Sequence, residues 1–274
     1  MLGCRRAMLT TGGAGDPPFD KLRADGVGAD PVMTDPEHLS GGPHRLAVRR
    51  TPGRGPALLF LPGYLSDMSG SKAEALAAWA AARGRACVRF DYAGCGSSEG
   101  AAEEQTLETW LGDARRVLES MGERCVLVGS SMGGWLSLLL AEERPAEVAG
   151  VVGIAAAPDF TDWGFGPARR AALRRDGRLV EPSPYGGETM TTLAFWESGQ
   201  ARLMLGREIA IDAPVRLLQG QRDPDVPWET ALAIAARLRS ADVHVALVKD
   251  GDHRLSRPEN VRLLLRTVEE LDAP

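Results

Sequence analysis

The sequence has no long hydrophobic run, few aromatic residues and little excess charge. Its apolar stretches fall short of the roughly 18 residues that a membrane-spanning helix needs, and its N-terminus lacks an apolar signal segment. The net charge is −5, whereas nucleic-acid-binding domains are normally basic. We therefore predict a protein that binds no nucleic acid and is not stably inserted into a membrane.

Cysteine is also scarce. The four cysteines form no CxxC pair and no cysteine–histidine spacing typical of a zinc site. Cys87 and Cys125 lie within apolar runs, which predicts that they are small core residues. Without a disulfide framework the sequence suits a reducing compartment. We expect a cytoplasmic protein without a metal site.

The first 42 residues differ in composition from the rest. They are rich in Gly, Pro and Asp and show little hydrophobic periodicity, which predicts a disordered segment. Residues 18–28 read PFDKLRADGVG and resemble translated palindromic repeat elements of some bacterial genomes. We therefore expect a bacterial source and a natural start at Met33.

From residue 44 onward, short apolar runs alternate with longer helical patterns. This alternation predicts an α/β fold, in which helices cover both faces of a mostly parallel sheet. Residues 43–274 are expected to form one domain. The predicted strands are 44–50, 57–61, 86–90, 124–128, 148–155, 215–219 and 243–248, and the predicted helices are 71–83, 105–121, 132–142, 228–238 and 257–271.

The alternation breaks between residue 158 and about residue 212. This segment contains no clear strand, several Pro and Gly residues and three segments of helical length. It is too long for a plain loop. We interpret it as a small helical lid over the carboxyl ends of the strands, where ligands bind in open α/β sheets.

Two segments match the pattern G-x-S-x-G, which by itself is a weak signal. A nucleophilic serine of this kind needs a strand that runs into a tight turn and a helix that leaves it. Gly129–Gly133 meets this requirement, since an apolar strand precedes it and a buried helix follows. Gly96–Gly100 is separated from its strand and is followed by acidic residues, which indicates a loop. We predict Ser131 as the nucleophile.

A serine hydroxyl needs a general base, and an imidazole base needs a carboxylate that fixes its tautomer. Two of the four histidines precede Ser131, and His244 falls within a predicted strand. His253 follows that strand in a loop at the carboxyl end of the sheet, so we predict it as the base. Asp223 and Asp225 both follow the preceding strand. We favour Asp223 and keep Asp225 as the alternative.

Charge that develops on a substrate carbonyl oxygen must be met by fixed hydrogen-bond donors. The backbone N–H of Met132, at the positive end of the predicted helix, is one candidate. The second should come from the loop after the strand at 57–61. By position we assign it to the Tyr64 N–H, with the Leu65 N–H as the alternative. The ring of Tyr64 either lines the pocket or packs at the surface.

These motifs resemble the α/β-hydrolase family, and within it the mitochondrial palmitoyl-protein thioesterases that also cleave mycophenolic acid acyl-glucuronide. The resemblance spans about residues 45–272. It implies a lidded serine esterase or thioesterase that needs no cofactor and forms an acyl-enzyme. It also implies as substrate a small acyl ester or thioester, or an acylated protein. The segments that carry it are FLPGYLSDMSGSKA (60–73), VRFDYAGCGSS (88–98), VGSSMGGW (128–135), DPDVPW (223–228) and DHR (252–254).

The predicted lid contains aromatic and basic residues with two interpretations each. Trp163 and Trp196, together with Phe165 and Phe195, would suit an apolar pocket for an acyl group, and anchoring the lid on the core explains them equally well. The arginines either attract an acidic substrate or form a solvated helix face. They are Arg169, Arg170, Arg174, Arg175 and Arg178.

Two further functions compete with the esterase interpretation. The same three residues could serve a C–C bond hydrolase or a peptidase. A hydrolase fold reduced to a binding protein would instead predict that the set Ser131, Asp223 and His253 is incomplete, which it is not.

Overall fold

An eight-stranded sheet forms the centre of the part of the chain that the structure, a computed structural model, describes: residues 35–183 and 187–272. Two shorter strands, β7 (Arg178–Pro182) and β8 (Glu188–Thr192), pair separately. The eight strands of the main sheet are β1 (Glu37–Leu39), β2 (Leu46–Thr51), β3 (Arg54–Leu61), β4 (Arg85–Phe90), β5 (Cys125–Ser130), β6 (Val148–Ile154), β9 (Val215–Gly220) and β10 (Val243–Val248).

The order of strands across the sheet is β1-β2-β4-β3-β5-β6-β9-β10. The pairs β1–β2 and β2–β4 are antiparallel, and all pairs from β4 to β10 are parallel. The predicted mostly parallel sheet is therefore confirmed. Of the predicted disordered segment, residues 1–34 lie outside the described residues. Glu37–Leu39 belongs to the same prediction but forms strand β1.

Helices cover both faces of the sheet, as predicted. One face packs against α2 (Leu107–Met121), α3 (Met132–Glu143) and α7 (Glu229–Arg237). The other packs against α1 (Ser71–Ala82) and α8 (Pro258–Glu269). Cys87 and Cys125 are buried in these two layers, as expected. Among the described residues, no helix combines the length and apolar character that crossing a bilayer requires.

The insertion between β6 and β9 contains both helices and strands. Its helices are α4 (Phe160–Trp163), α5 (Pro167–Asp176) and α6 (Leu193–Gln200). Between α5 and α6 lies the antiparallel pair β7–β8, so the expectation that this segment contains no strand was wrong. The reason is that β7 alternates exposed and half-buried positions and includes Arg, Glu and Pro, which gives it no apolar run.

A buried carboxylate joins the beginning of this insertion to its end. Asp159 has a left-handed backbone, with φ 60°, and precedes α4. Its two side-chain oxygens accept hydrogen bonds from the backbone N–H groups of Met204 and Leu205, each at 2.8 Å. Burial raises the pKa of Asp159, and these two bonds oppose that shift. This side chain thus ties the beginning of the lid to its end.

We expect Asp159→Ala to lower the free energy of unfolding by about 2–4 kcal/mol, because it leaves two backbone donors without an acceptor. Asp162→Ala is the matched control. That carboxylate pairs with Arg170 and is half exposed, so its loss should cost less than about 1 kcal/mol. Urea unfolding of both variants measures the difference. Equal losses would show that Asp159 does not hold the lid.

Candidate active site

Ser131 lies in the tight turn between β5 and α3, with φ 55° and ψ −119°. Few residues other than glycine adopt such a backbone, which presents the side chain at the beginning of the helix. Both glycines of the motif are required by close contacts. A Cβ on Gly133 would lie 2.1 Å from the carbonyl oxygen of Leu61, and a Cβ on Gly129 would lie 2.2 Å from that of Gly133. The predicted strand–turn–helix around Ser131 is confirmed.

The other G-x-S-x-G segment, Gly96–Gly100, lies in a different structural environment. Ser98 lies in a loop, where its hydroxyl donates to the carbonyl of Asp91 and accepts from the N–H of Ala47. Gly96 and Gly100 both have positive φ in this loop. Here the pattern belongs to a hydrogen-bonded loop and not to a turn between a strand and a helix.

His253 and Asp223 are hydrogen-bonded to each other. The Nδ1 atom of His253 lies 2.9 Å from Oδ2 of Asp223, whose side chain is fully buried. The other oxygen of Asp223 accepts from the N–H groups of Asp225 and Val226. Burial disfavours ionisation of Asp223, but the bonds from His253 and from these two amides hold its pKa below the usual value.

The geometry distinguishes the two aspartates. Asp225 is exposed, and its backbone N–H supports Asp223. One oxygen or ring nitrogen from each of Asp223, Asp225 and His253 lies within 4.8 Å of the others, a spacing that a metal ion could use. Both oxygens of Asp223 already accept hydrogen bonds from the protein, however, so this carboxylate needs no ion to be satisfied.

A cleft of about 930 Å³ brings the predicted residues together. Ser131 and His253 both line it, and so do Tyr64, Leu65 and Met132, which are the predicted donors for a carbonyl oxygen. Asp223 lies behind His253 and is shielded from solvent. Residues of the lid form one wall, among them Phe160, Trp163, Phe165 and Arg169.

The loop after β3 passes directly beside the serine. A Cβ on Gly63 would lie 3.6 Å from Cβ of Ser131, so the next residue, Tyr64, begins close to the turn. Met132 is the first residue of α3, where the amides of a helix have no acceptor within the helix. Within the described part of the chain, neither the Tyr64 N–H nor the Met132 N–H donates to a protein group.

The side chain of Tyr64 connects this loop to the lid. Its hydroxyl donates to the carbonyl of Met190 in β8 at 2.6 Å, and its ring contacts the rings of Phe195, Trp110 and Phe160. Burial raises the pKa of Tyr64 to about 12, so the hydroxyl stays protonated and able to donate. The ring both borders the cleft and packs between lid and core.

The two lid tryptophans have different positions. Trp163 lines the cleft and is 37% exposed, as expected for a residue that could contact substrate. Trp196 is 5% exposed, and its indole N–H donates to the carbonyl of Thr161. Trp196 is not among the cleft residues, and it belongs to a buried cluster with Phe165 and Leu173, which favours the second interpretation, that it anchors the lid.

Four of the lid arginines have partners within the protein. Arg169 pairs with Glu181 and lies over the ring of Phe165. The guanidinium of Arg174 lies 5.0 Å from the centre of the Trp196 ring. The two remaining ion pairs are Arg170–Asp162 and Arg175–Asp176. These four arginines thus have partners within the lid itself, an arrangement that neither of the two interpretations from the sequence included.

Lys72 is a cleft residue that the sequence did not single out. Its ammonium group donates to the carbonyl of Arg254, the residue after His253. Burial, together with the nearby charge of Arg254, lowers its pKa to about 8, and Asp252 opposes this shift. No spacing rule identifies such a contact, since it joins residues that are 182 positions apart.

The lowered pKa of Lys72 should make the free energy of unfolding depend on pH. Between about pH 8 and 10.5 the unfolded chain binds more protons at this lysine than the folded chain does, so stability rises with pH there. The free energy of unfolding of the wild type, relative to that of Lys72→Met, should rise by about 1–3 kcal/mol between about pH 7 and about pH 10. Urea unfolding measures this difference. Lys249→Met, at an exposed lysine outside the cleft, serves as the control. A constant difference between wild type and Lys72→Met would contradict the prediction.

Comparison with known proteins gives a family match and several relatives that align over most of their length. A sequence model described as "Alpha/beta hydrolase family" matches residues 58–264. The human mitochondrial palmitoyl-protein thioesterase ABHD10 is 37% identical over 232 residues, which cover 82% of this chain and 76% of the relative.

Two solved structures are similar over nearly their whole length. The mouse alpha/beta hydrolase domain-containing protein 10 superposes with a TM-score of 0.82 at 36% identity, covering 87% of this chain and 98% of the mouse chain. A hydrolase from Agrobacterium vitis S4, described as putative, also has a TM-score of 0.82. It is 37% identical and covers 89% of this chain and all of its own.

Proposed function

Because the chain belongs to the alpha/beta hydrolase family, we propose that it is a serine hydrolase that cleaves acyl esters or thioesters through Ser131, His253 and Asp223. One observation carries the proposal. The cleft that holds Ser131 on its strained turn is also lined by His253, whose ring is hydrogen-bonded to a buried carboxylate.

The proposed chemistry follows from that bond. Since Nδ1 of His253 donates to Asp223, Nε2 is the nitrogen that accepts the proton of Ser131. The serine oxygen then attacks the carbonyl carbon of the substrate. His253 returns the proton to the leaving oxygen or sulfur, and an acyl-enzyme forms. Water releases the acyl group by the same two steps. Asp223 stays ionised throughout and stabilises the imidazolium.

The negative charge on the carbonyl oxygen needs donors that are already in place. We assign this role to the N–H groups of Met132 and Tyr64. The positive end of α3 adds to the first of them, since the helix begins at Met132. The contact between Gly63 and Ser131 supports the second, because it brings the loop of Tyr64 against the nucleophile.

Two observations support an acyl substrate in particular. The mammalian relatives are named palmitoyl-protein thioesterases, and we propose thioester substrates on that ground. The lid wall of the cleft also presents apolar rings, from Phe160, Trp163 and Phe165. An acyl group would pack against these rings, while the leaving group would lie toward His253. Either a small molecule or an acylated protein could supply it.

The first test is covalent labelling of the serine. A fluorophosphonate probe should label the wild type and not Ser131→Ala, and the substitution should lower hydrolysis of an acyl thioester and of a p-nitrophenyl ester by at least about 1,000-fold. Ser98→Ala, in the other G-x-S-x-G segment, is the control and should keep its labelling. Absence of labelling in the wild type would refute the serine mechanism. A peptide cleaved faster than every ester would refute the ester class.

The second test distinguishes the two aspartates. Asp223→Asn should lower kcat by about 100- to 10,000-fold with little change in KM, because an amide no longer holds the histidine in its required tautomer. Asp225→Asn removes the charge of the neighbouring exposed side chain and should change kcat by less than about 5-fold. Steady-state kinetics with one ester substrate measure both. The reverse order would assign the acid to Asp225.

A further inference from the structure

We propose that Gln219 is a positioning residue, whose side-chain amide holds the carboxylate of Asp223 in the orientation that His253 requires. The inference rests on the serine hydrolase function proposed above. It adds to the three reacting residues a fourth that touches neither the substrate nor the serine and acts through Asp223.

Gln219 lies near the end of β9 and is 1% exposed. Its Nε2 donates to Oδ2 of Asp223 at 3.0 Å, and this is the same oxygen that receives the bond from His253. With the two backbone N–H groups on Oδ1, the carboxylate therefore accepts four hydrogen bonds. A carboxylate held from four sides cannot rotate away when the imidazole becomes charged.

The orientation of the Gln219 amide is determined by its neighbours. The groups around Nε2 are Oδ2 of Asp223 and the carbonyls of Gly220 and Val226, at 3.0, 3.3 and 3.4 Å. All three can only accept, so the donating NH₂ group must face them. The amide oxygen points the other way.

The position of that amide oxygen is unfavourable for stability. Oε1 of Gln219 is buried and has no hydrogen-bond partner among the described residues. A buried acceptor without a partner is unfavourable, whereas an apolar side chain of the same length would avoid the loss. Packing alone would therefore favour an apolar side chain at this position. The hydrogen bond from Nε2 to Asp223 is the interaction that only the amide supplies.

The bond has a chemical consequence for the histidine. A second donor on Oδ2 spreads the negative charge of Asp223, so the carboxylate is a weaker acceptor toward His253. It also favours the ionised form of Asp223. Without this donor, Asp223 would hold the imidazolium more strongly.

The test uses Gln219→Met, which keeps the length of the side chain and removes the donor. We expect kcat to fall by about 5- to 20-fold with KM unchanged. The acidic limb of the pH profile of kcat/KM should move upward by about half a unit. The thermal midpoint should stay equal or rise, since the unpartnered Oε1 is removed. A role in folding alone would lower the midpoint and leave the pH profile in place.

Asn260→Leu is the matched control, because Asn260 is also a buried amide with an unpartnered atom but belongs to α8. Its pH profile should be that of the wild type. If Gln219→Met has wild-type kcat and pH profile, or if its loss of kcat comes with a lower midpoint and an unshifted profile, the inference is overturned. Labelling of Ser131 by a fluorophosphonate in the wild type tests the proposed function separately.

Discussion

The backbone of Ser131 has a conformation that few non-glycine residues adopt, and its neighbours hold it there. Its N–H donates to the carbonyl of Ile154 at the end of β6, and its carbonyl accepts from Ala157 at the beginning of the lid segment. Strain of this kind costs on the order of 1–3 kcal/mol, which the buried β5–α3 unit offsets. The serine is therefore fixed by the same parallel strands that form the core.

The acid and base depend on a second feature of the parallel sheet. Because β9 and β10 are adjacent and parallel, the loops that follow them meet at one edge, and this brings Asp223 to His253. The sheet also buries Asp223, which would raise its pKa. The surrounding donors reverse that effect, so the carboxylate stays ionised although its side chain is shielded from solvent. Hydrogen bonding thus outweighs burial and keeps one charge in a defined place.

Much of this arrangement could be predicted from the sequence, because it depends on local patterns. The apolar run before Ser131, the helix after it and the loop position of His253 are visible in short segments. The pair β7–β8 was missed because its strands are polar and contain no apolar run. The contacts of Trp196, Lys72 and Gln219 were not predicted, for a different reason. Their partners are residues whose proximity depends on the folded lid and loops.

The contacts of Tyr64 connect the lid to the proposed oxyanion site. Its backbone lies next to the turn of Ser131, while its hydroxyl holds the carbonyl of Met190 in the lid strand β8. A shift of β8 that breaks this bond removes one of the contacts that hold Tyr64, the residue whose backbone N–H is assigned to the substrate oxygen. Substitutions in the lid should therefore affect the chemical step as well as the choice of acyl group. The charges of Arg169 and Arg170 are balanced within the lid by Glu181 and Asp162, so these side chains fix the lid in the position that Tyr64 contacts.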